Sequence, residues 1–170
     1  MLSANELTLC HGNQRLLEGV PFAVSDGEKA GLVGRNGCGK TSLLKILSGQ
    51  ERPDSGELSM RRGLRTGYLP QEFELDDAAT VLENIQSGAA DLIEWLGRYE
   101  AGAGSEAELE QLQHQIEAAD GWNLHTRIKT IATALAAPPL DAPVAPLSGG
   151  EKRRVALCRA LVSQPELLLL

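Results

Sequence analysis

The sequence has no apolar run long enough to span a membrane. A transmembrane helix needs about 20 consecutive apolar residues, and charged residues, 23% of the chain, interrupt every apolar stretch before that length. The first six positions, M-L-S-A-N-E, also lack the basic region and apolar stretch of a secretory signal peptide. We therefore expect a cytoplasmic protein without membrane insertion.

Cysteine is scarce, and the three residues Cys10, Cys38 and Cys158 are widely spaced. They form no C-x-x-C pair and no metal-binding pattern with the histidines, which favours a reducing compartment and gives no reason to assign a metal to them. Basic residues are also outnumbered, 16 against 23 acidic, for a net charge of −7. This balance argues against broad non-specific binding of nucleic acids, which depends on neutralising phosphates.

Local patterns predict a mixed α/β start. The N-terminal segment alternates apolar and polar residues, which predicts short strands in an antiparallel layer with a turn at Gly12-Asn13. Residues 29–33 predict a further short strand, and residues 41–47 a helix that ends at a glycine. Residues 67–71 predict a short strand that stops at a proline.

A helical stretch follows. Apolar residues recur at helical intervals over residues 81–96, 106–119 and 124–135, and a proline-rich loop comes next. A last helix is predicted from Ser148, followed by an apolar strand at residues 167–170. The change from a mixed α/β pattern to a helical pattern and back divides the chain into two parts. We expect a core formed by residues 1–78 together with 147–170, and a helical subdomain formed by residues 79–146.

Residues 34–41 read G-R-N-G-C-G-K-T, a complete phosphate-binding loop. Its glycines allow the backbone to turn so that several N–H groups point at one anion, and the following helix adds its positive end. Lys40 is expected to contact the β- and γ-phosphates, and the Thr41 hydroxyl to bind Mg²⁺. The alternative is a chance glycine-rich turn, and the match at every position argues against it. The predicted nucleotide-binding residues of the loop are Gly34, Arg35, Asn36, Gly37, Cys38, Gly39, Lys40, Thr41 and Ser42.

A second motif, L-S-G-G-E, occupies residues 147–151. Ser148 and Glu151 fit a helix-capping box, which alone indicates only a capped amphipathic helix. Combined with the phosphate loop, a serine, two glycines and a helix N-terminus predict a second surface that faces an anion. The residues of this predicted signature are Leu147, Ser148, Gly149, Gly150 and Glu151.

In this order, the motifs resemble the ATP-binding cassette family over the whole chain. The resemblance implies an α/β P-loop NTPase core with an N-terminal antiparallel β layer and an inserted helical subdomain. It implies that Gln71, in Y-L-P-Q-E, senses Mg²⁺ and the attacking water, and that the signature closes over ATP held by a second cassette, in the same parent chain or in a dimer. His11 stands where the family has an aromatic ring on adenine; a polar turn residue is the alternative interpretation.

Two further segments resemble the soluble twin-cassette branch called ABC-F. They are E-K-R-R-V-A-L from Glu151 and A-D-G-W at residues 119–122. The resemblance implies an ATPase that acts in translation, with ATP and Mg²⁺ as cofactors and the ribosome as a candidate partner. Two alternatives stay open: the motor subunit of an ABC transporter, and a nucleotide-binding fragment without turnover.

The chain ends at Leu170, where an apolar strand is predicted to begin. In the family, an aspartate for Mg²⁺ and a glutamate that acts as general base come after this strand. We therefore expect most of a first cassette, inactive by itself because the general base is absent. We also expect an incomplete central sheet, with a gap between the strand before the phosphate loop and the strand at residues 167–170.

Overall fold

The N-terminal part of the chain is an antiparallel sheet, seen in a computed structural model that describes residues 2–11 and 14–170. The strands β1 (Leu2–His11), β2 (Gln14–Val24) and β3 (Ser55–Met60) pair in the order β2–β1–β3. Both pairs are antiparallel, which confirms the predicted layer. The turn predicted at Gly12-Asn13 lies outside the described residues.

A second, parallel sheet is formed by β4 (Thr66–Tyr68) and β5 (Leu167–Leu169). Helix α1 (Lys40–Leu47) follows the phosphate loop and ends where Gly49 takes a φ of 77°. Since one hydrophobic cluster joins residues of β1, β2, α1 and β5, the helix is held against both sheets. The buried members of this cluster are Leu2, Ala4, Leu7, Leu9, Leu17, Leu43, Ile46, Leu47 and Leu169.

The prediction of a strand at residues 29–33 is wrong. The segment is irregular, and its apolar side chains face solvent, with Leu32 46% and Val33 94% exposed. A central strand of a parallel sheet needs partners on both edges, since its backbone groups and both of its faces are otherwise left in water. No strand of the described residues pairs with this segment, so the central sheet is incomplete, as predicted.

The inserted part is helical. It contains α2 (Val81–Gln86), α3 (Ala90–Glu100), α4 (Glu106–Ala118) and α5 (Leu124–Ala134), with short 3₁₀ turns at Ser87–Ala89 and Gly121–Asn123. None of the helices in the described ranges is long and apolar enough to cross a membrane.

Residues 81–96 do not form one helix, and the backbone of another helix passes close to Gly88, which lies between α2 and α3. A Cβ built at Gly88 would overlap the carbonyl oxygen of Arg159. The 3₁₀ turn at Ser87–Ala89, which contains Gly88, separates α2 from α3. Helical spacing of apolar residues could not show that Gly88 lies against a helix distant in sequence.

Helix α6 (Gly149–Val162) belongs by packing to the helical part. Its residues Val155, Cys158 and Val162 are fully buried in one cluster with Ile85 and Ile128. Burial raises the pKa of the Cys158 thiol to about 11, so it stays protonated and behaves as a small apolar side chain. The domain boundary at residues 146–147 stays a prediction.

Candidate nucleotide site

The phosphate loop turns at two glycines with positive φ, 79° at Gly37 and 89° at Gly39. Gly39 also lies against β2, where an added Cβ would come 3.0 Å from the Leu16 Cβ and 3.1 Å from its carbonyl oxygen. A larger residue at this position would thus meet both backbone strain and a close contact. The loop is thereby packed against the antiparallel layer as the chain enters α1.

The N-terminus of α1 has no side-chain cap and no acidic residue in its first turn. The first N–H groups of a helix have no intrahelical partner, and the helix dipole makes this end favourable for an anion. Thr41, in the first turn, is exposed and Ser42 is half-buried. A hydroxyl in this position can act as an oxygen ligand for Mg²⁺ beside bound phosphates.

Lys40 folds back over its own loop. Its Nζ donates hydrogen bonds to the carbonyl oxygens of Gly34 and Arg35, both at 2.8 Å. The ammonium group is therefore held at the loop, and Lys40 is half-buried. The third donor of the ammonium group has only the weak acceptor Cys38 Sγ, at 4.0 Å, so a phosphate oxygen would be a stronger partner for it.

Cys38 does more than supply backbone to the loop, which sequence reasoning missed. A Cβ added to Gly34 would lie 2.6 Å from the Cys38 Sγ, and this sulfur lies 4.0 Å from the Lys40 Nζ. The thiol thus covers Gly34 and lies beside the charged group of the loop, while Cys38 as a whole is exposed. Arg35 and Asn36 are exposed.

Gln71 follows the carboxyl end of β4 and is exposed. Leu69, two residues earlier, donates its N–H to the Leu169 carbonyl oxygen at 2.9 Å, so the parallel pairing of β4 and β5 continues to this end. Ligands of open α/β sheets bind beyond the carboxyl ends of the strands, which is the edge where Gln71 lies. The side chain of His11 lies outside the described residues, so its predicted contact with adenine stays a prediction.

The signature residues form the capped start of α6. The Ser148 N–H and hydroxyl both donate to one carboxylate oxygen of Glu151, at 2.8 and 2.6 Å, and the Glu151 N–H donates back to the Ser148 hydroxyl at 3.4 Å. These bonds, from the side chain and then the backbone of Ser148, lower the pKa of the Glu151 carboxyl. Leu147 is half-buried against the helical cluster, while Gly149 and Gly150 are exposed.

The two motifs are anchored in different clusters. The phosphate loop is held by the cluster of the sheets and α1, and the signature by the cluster of the helices. Residues 2–11 and 14–170 contain no group of three His, Cys, Asp or Glu side chains that could hold a metal ion. The predicted Mg²⁺ ligands, Thr41 and Gln71, are of other types and need the oxygens of a bound phosphate to complete the set.

The loop is rich in glycine, its lysine folds back over it, and an uncapped helix follows beside a parallel strand pair. These features define a P-loop nucleotide-binding domain. The family model described as "ABC transporter" matches residues 17–170, and the chain belongs to this family. This agrees with the resemblance drawn from the motifs.

Curated relatives are similar over almost the whole chain. The chain is 39% identical over 169 residues to the energy-dependent translational throttle protein EttA of Mycobacterium tuberculosis (strain ATCC 25618 / H37Rv), covering 94% of this chain and 30% of that protein. It is 40% identical over 184 residues to the tylosin resistance ATP-binding protein TlrC of Streptomyces fradiae, covering 99% and 34%. These relatives confirm the resemblance to the ABC-F branch. The chain spans about 30% of the length of the EttA proteins it matches.

Solved structures show the same fold. The ATP-binding subunit of an ABC transporter superposes with a TM-score of 0.72 at 24% identity, covering 99% of this chain and 64% of that chain. The cbiO1 protein of Clostridium perfringens, part of the ABC transporter complex cbiONQ, gives a TM-score of 0.64 at 22% identity, covering 98% and 63%. At these identities the likeness concerns the fold alone.

Proposed function

We propose that this chain binds Mg·ATP through the loop at residues 34–41. The observation that carries the proposal is the open N-terminus of α1, which has neither a capping side chain nor an acidic residue and is preceded by two left-handed glycines. Such an end attracts phosphate through its free N–H groups and its dipole. Lys40 adds a full positive charge, and the Thr41 hydroxyl supplies a ligand for Mg²⁺.

In this proposal, the other predicted residues act on the same nucleotide or on a second one. Gln71, at the carboxyl end of β4, senses Mg²⁺ and the attacking water. Ser148 and its glycines close over ATP held by a second cassette, which the same parent chain or a second copy supplies. The exposed glycines at the start of α6 leave room for a phosphate to approach that helix end.

We further propose that the whole protein is an ABC-F ATPase that acts on the ribosome in the cytoplasm. The support is the similarity to a protein named as an energy-dependent translational throttle and to one named for tylosin resistance. The motor subunit of an ABC transporter is the second candidate, favoured by the description of the family model. Co-sedimentation of the full-length protein with ribosomes in the presence of an ATP analogue separates the two. Absence from the ribosomal pellet would contradict the first candidate.

The nucleotide site itself is tested by replacing Lys40 in the full-length protein. Lys40→Ala removes a charge-assisted contact to phosphate, so Mg·ATP should bind about ten- to a hundredfold more weakly in an equilibrium titration. Lys45→Ala is the matched control, because Lys45 is an exposed lysine in the last turn of the same helix. Equal affinity of Lys40→Ala and Lys45→Ala for Mg·ATP would show that the site is wrongly assigned.

A further inference from the structure

The last residues of β1 are held by Asp54, which belongs to the turn before β3. The Asp54 N–H donates to the Thr8 carbonyl oxygen at 2.9 Å. Its carboxylate Oδ2 accepts a hydrogen bond from the Cys10 N–H at 2.6 Å. Pairing of β1 with β3 ends at Thr8 and Ser55, where β3 begins. The carboxylate therefore takes the place of the next strand residue and satisfies a backbone donor that β3 does not reach.

The turn that carries Asp54 is fixed by a close approach of two backbones. Gly56, the second residue of β3, has a φ of 91°, and a Cβ built on it would overlap the Glu6 carbonyl oxygen. Glu6 itself has a φ of 51°, and the pairing register shifts between Asn5 and Thr8. A bulge of this kind fixes how two strands meet, so Asp54 has a defined place beside β1.

On its other edge, the same end of β1 pairs with β2 around an extra residue. Leu9 pairs with Leu17, and the next residue of β1 pairs with Arg15, so one residue of β2 is left over between two successive pairs. This residue is Leu16, and it is the one that lies against Gly39 of the phosphate loop. Bulges next to functional sites re-aim side chains. The end of the β1–β2 hairpin is thus placed against the phosphate loop by this bulge.

We propose that Asp54 is a positioning residue for the nucleoside part of ATP. Cys10, whose N–H it holds, is followed directly by His11, the predicted contact of adenine. By fixing the end of β1 between β3 and the bulge of β2, Asp54 holds His11 at a set distance from the phosphate loop. The inference rests on the proposed function and names the residue that keeps the base contact in place.

Two ligands separate the base from the phosphates: Mg·ATP, and inorganic tripolyphosphate with Mg²⁺, which has the phosphates without the nucleoside. In the full-length protein, Asp54→Ala should bind Mg·ATP about three- to tenfold more weakly, the effect of one hydrogen bond on affinity. Its affinity for tripolyphosphate should be unchanged, which also shows that the phosphate loop is folded. Asp54→Asn keeps an oxygen that accepts the Cys10 N–H and should bind both ligands as the original protein does.

Two further comparisons connect the loss of affinity to the end of β1. Amide hydrogen exchange without nucleotide should be faster at Cys10 in Asp54→Ala and restored in Asp54→Asn. In a His11→Ala background, Asp54→Ala should cause no further loss of ATP affinity, because both changes act on the same contact. Glu108→Ala is the matched control. The Glu108 carboxylate accepts the Ser105 N–H at 2.7 Å in the helical part, and its loss should change the affinity for neither ligand.

An equal loss of affinity for ATP and tripolyphosphate in Asp54→Ala would overturn the inference, since Asp54 would then support the phosphate loop or the fold as a whole. So would an unchanged affinity for ATP, a loss in Asp54→Asn as large as in Asp54→Ala, or a full further loss in the His11→Ala background. An original protein that binds neither ligand is a different outcome. It would refute the proposed function, and this inference with it.

Discussion

Replacing Ser148 separates its structural role from its proposed role at the nucleotide of a second cassette. Its hydroxyl bonds the Glu151 carboxylate and accepts from the Glu151 N–H, which makes it the N-cap of α6. Ser148→Ala removes this cap. Ser148→Asn keeps a capping oxygen, because asparagine ranks with serine at this position, but extends a larger amide towards the side from which phosphate would approach.

The two variants should therefore differ in stability. Losing an N-cap serine costs about 1 kcal/mol of folding free energy, roughly a fivefold change in the ratio of folded to unfolded protein. Ser148→Asn should be close to neutral. Urea unfolding of the chain, followed by the fluorescence of Trp95 and Trp122, reports on this change because both tryptophans lie in the helical part.

ATP hydrolysis should be lowered even in Ser148→Asn, the variant that keeps its stability. In the full-length protein, Ser148→Asn should lower ATP hydrolysis by at least about tenfold, the effect of losing one hydrogen bond to a charged group. Ser105→Asn is the matched control, since Ser105 caps α4 through the same kind of box with Glu108. Full hydrolysis by the stable Ser148→Asn variant would refute the assignment of the signature and leave Ser148 as a helix cap only.

Three more outcomes can be checked. In a Cys10→Ser background, saturating Mg·ATP should slow the labelling of Cys38 by a thiol reagent, because the sulfur covers Gly34 in the phosphate loop. Buried Cys158, whose pKa is raised, should stay unlabelled. Equal labelling rates with and without ATP would place Cys38 outside the site. Hydrogen bonds from the cap residues lower the pKa values of Glu83, Glu108 and Glu151 below the ordinary 4.5. The stability that these carboxylates add is therefore present above pH 4.5 and lost as the pH falls through their folded pKa values. Replacing all three by glutamine should flatten this part of a pH–stability profile, and an unchanged slope would contradict the capping boxes. Gly88→Ala should lower the free energy of unfolding in urea by about 1–3 kcal/mol, because its Cβ meets the Arg159 carbonyl oxygen. Gly97→Ala in α3 has free space around its Cβ and should stabilise the chain slightly. A tolerated Gly88→Ala would show that α6 lies farther away.

Much of the fold and site could be predicted because the signals are local. The capping box at Ser148, the glycine that ends α1 and the turn chemistry of the phosphate loop each depend on residues within one or two turns. The strand at residues 29–33 could not be judged in this way. Its apolar pattern is that of a buried strand, yet a strand exists only where neighbours supply hydrogen bonds along its edges, and none pairs with it here.

The amino-acid sequence by itself determined the motifs, the helical periods and the phosphate-binding loop, because these depend on residue type and short spacing. Only the tertiary structure decided which distant residues meet. Lys152 carries no recognisable signal, being one lysine among several. Its ion pair with Asp77, 75 residues away in the sequence, exists because the fold places the start of α6 beside the segment that precedes α2, and the partners of such contacts are set by the fold as a whole.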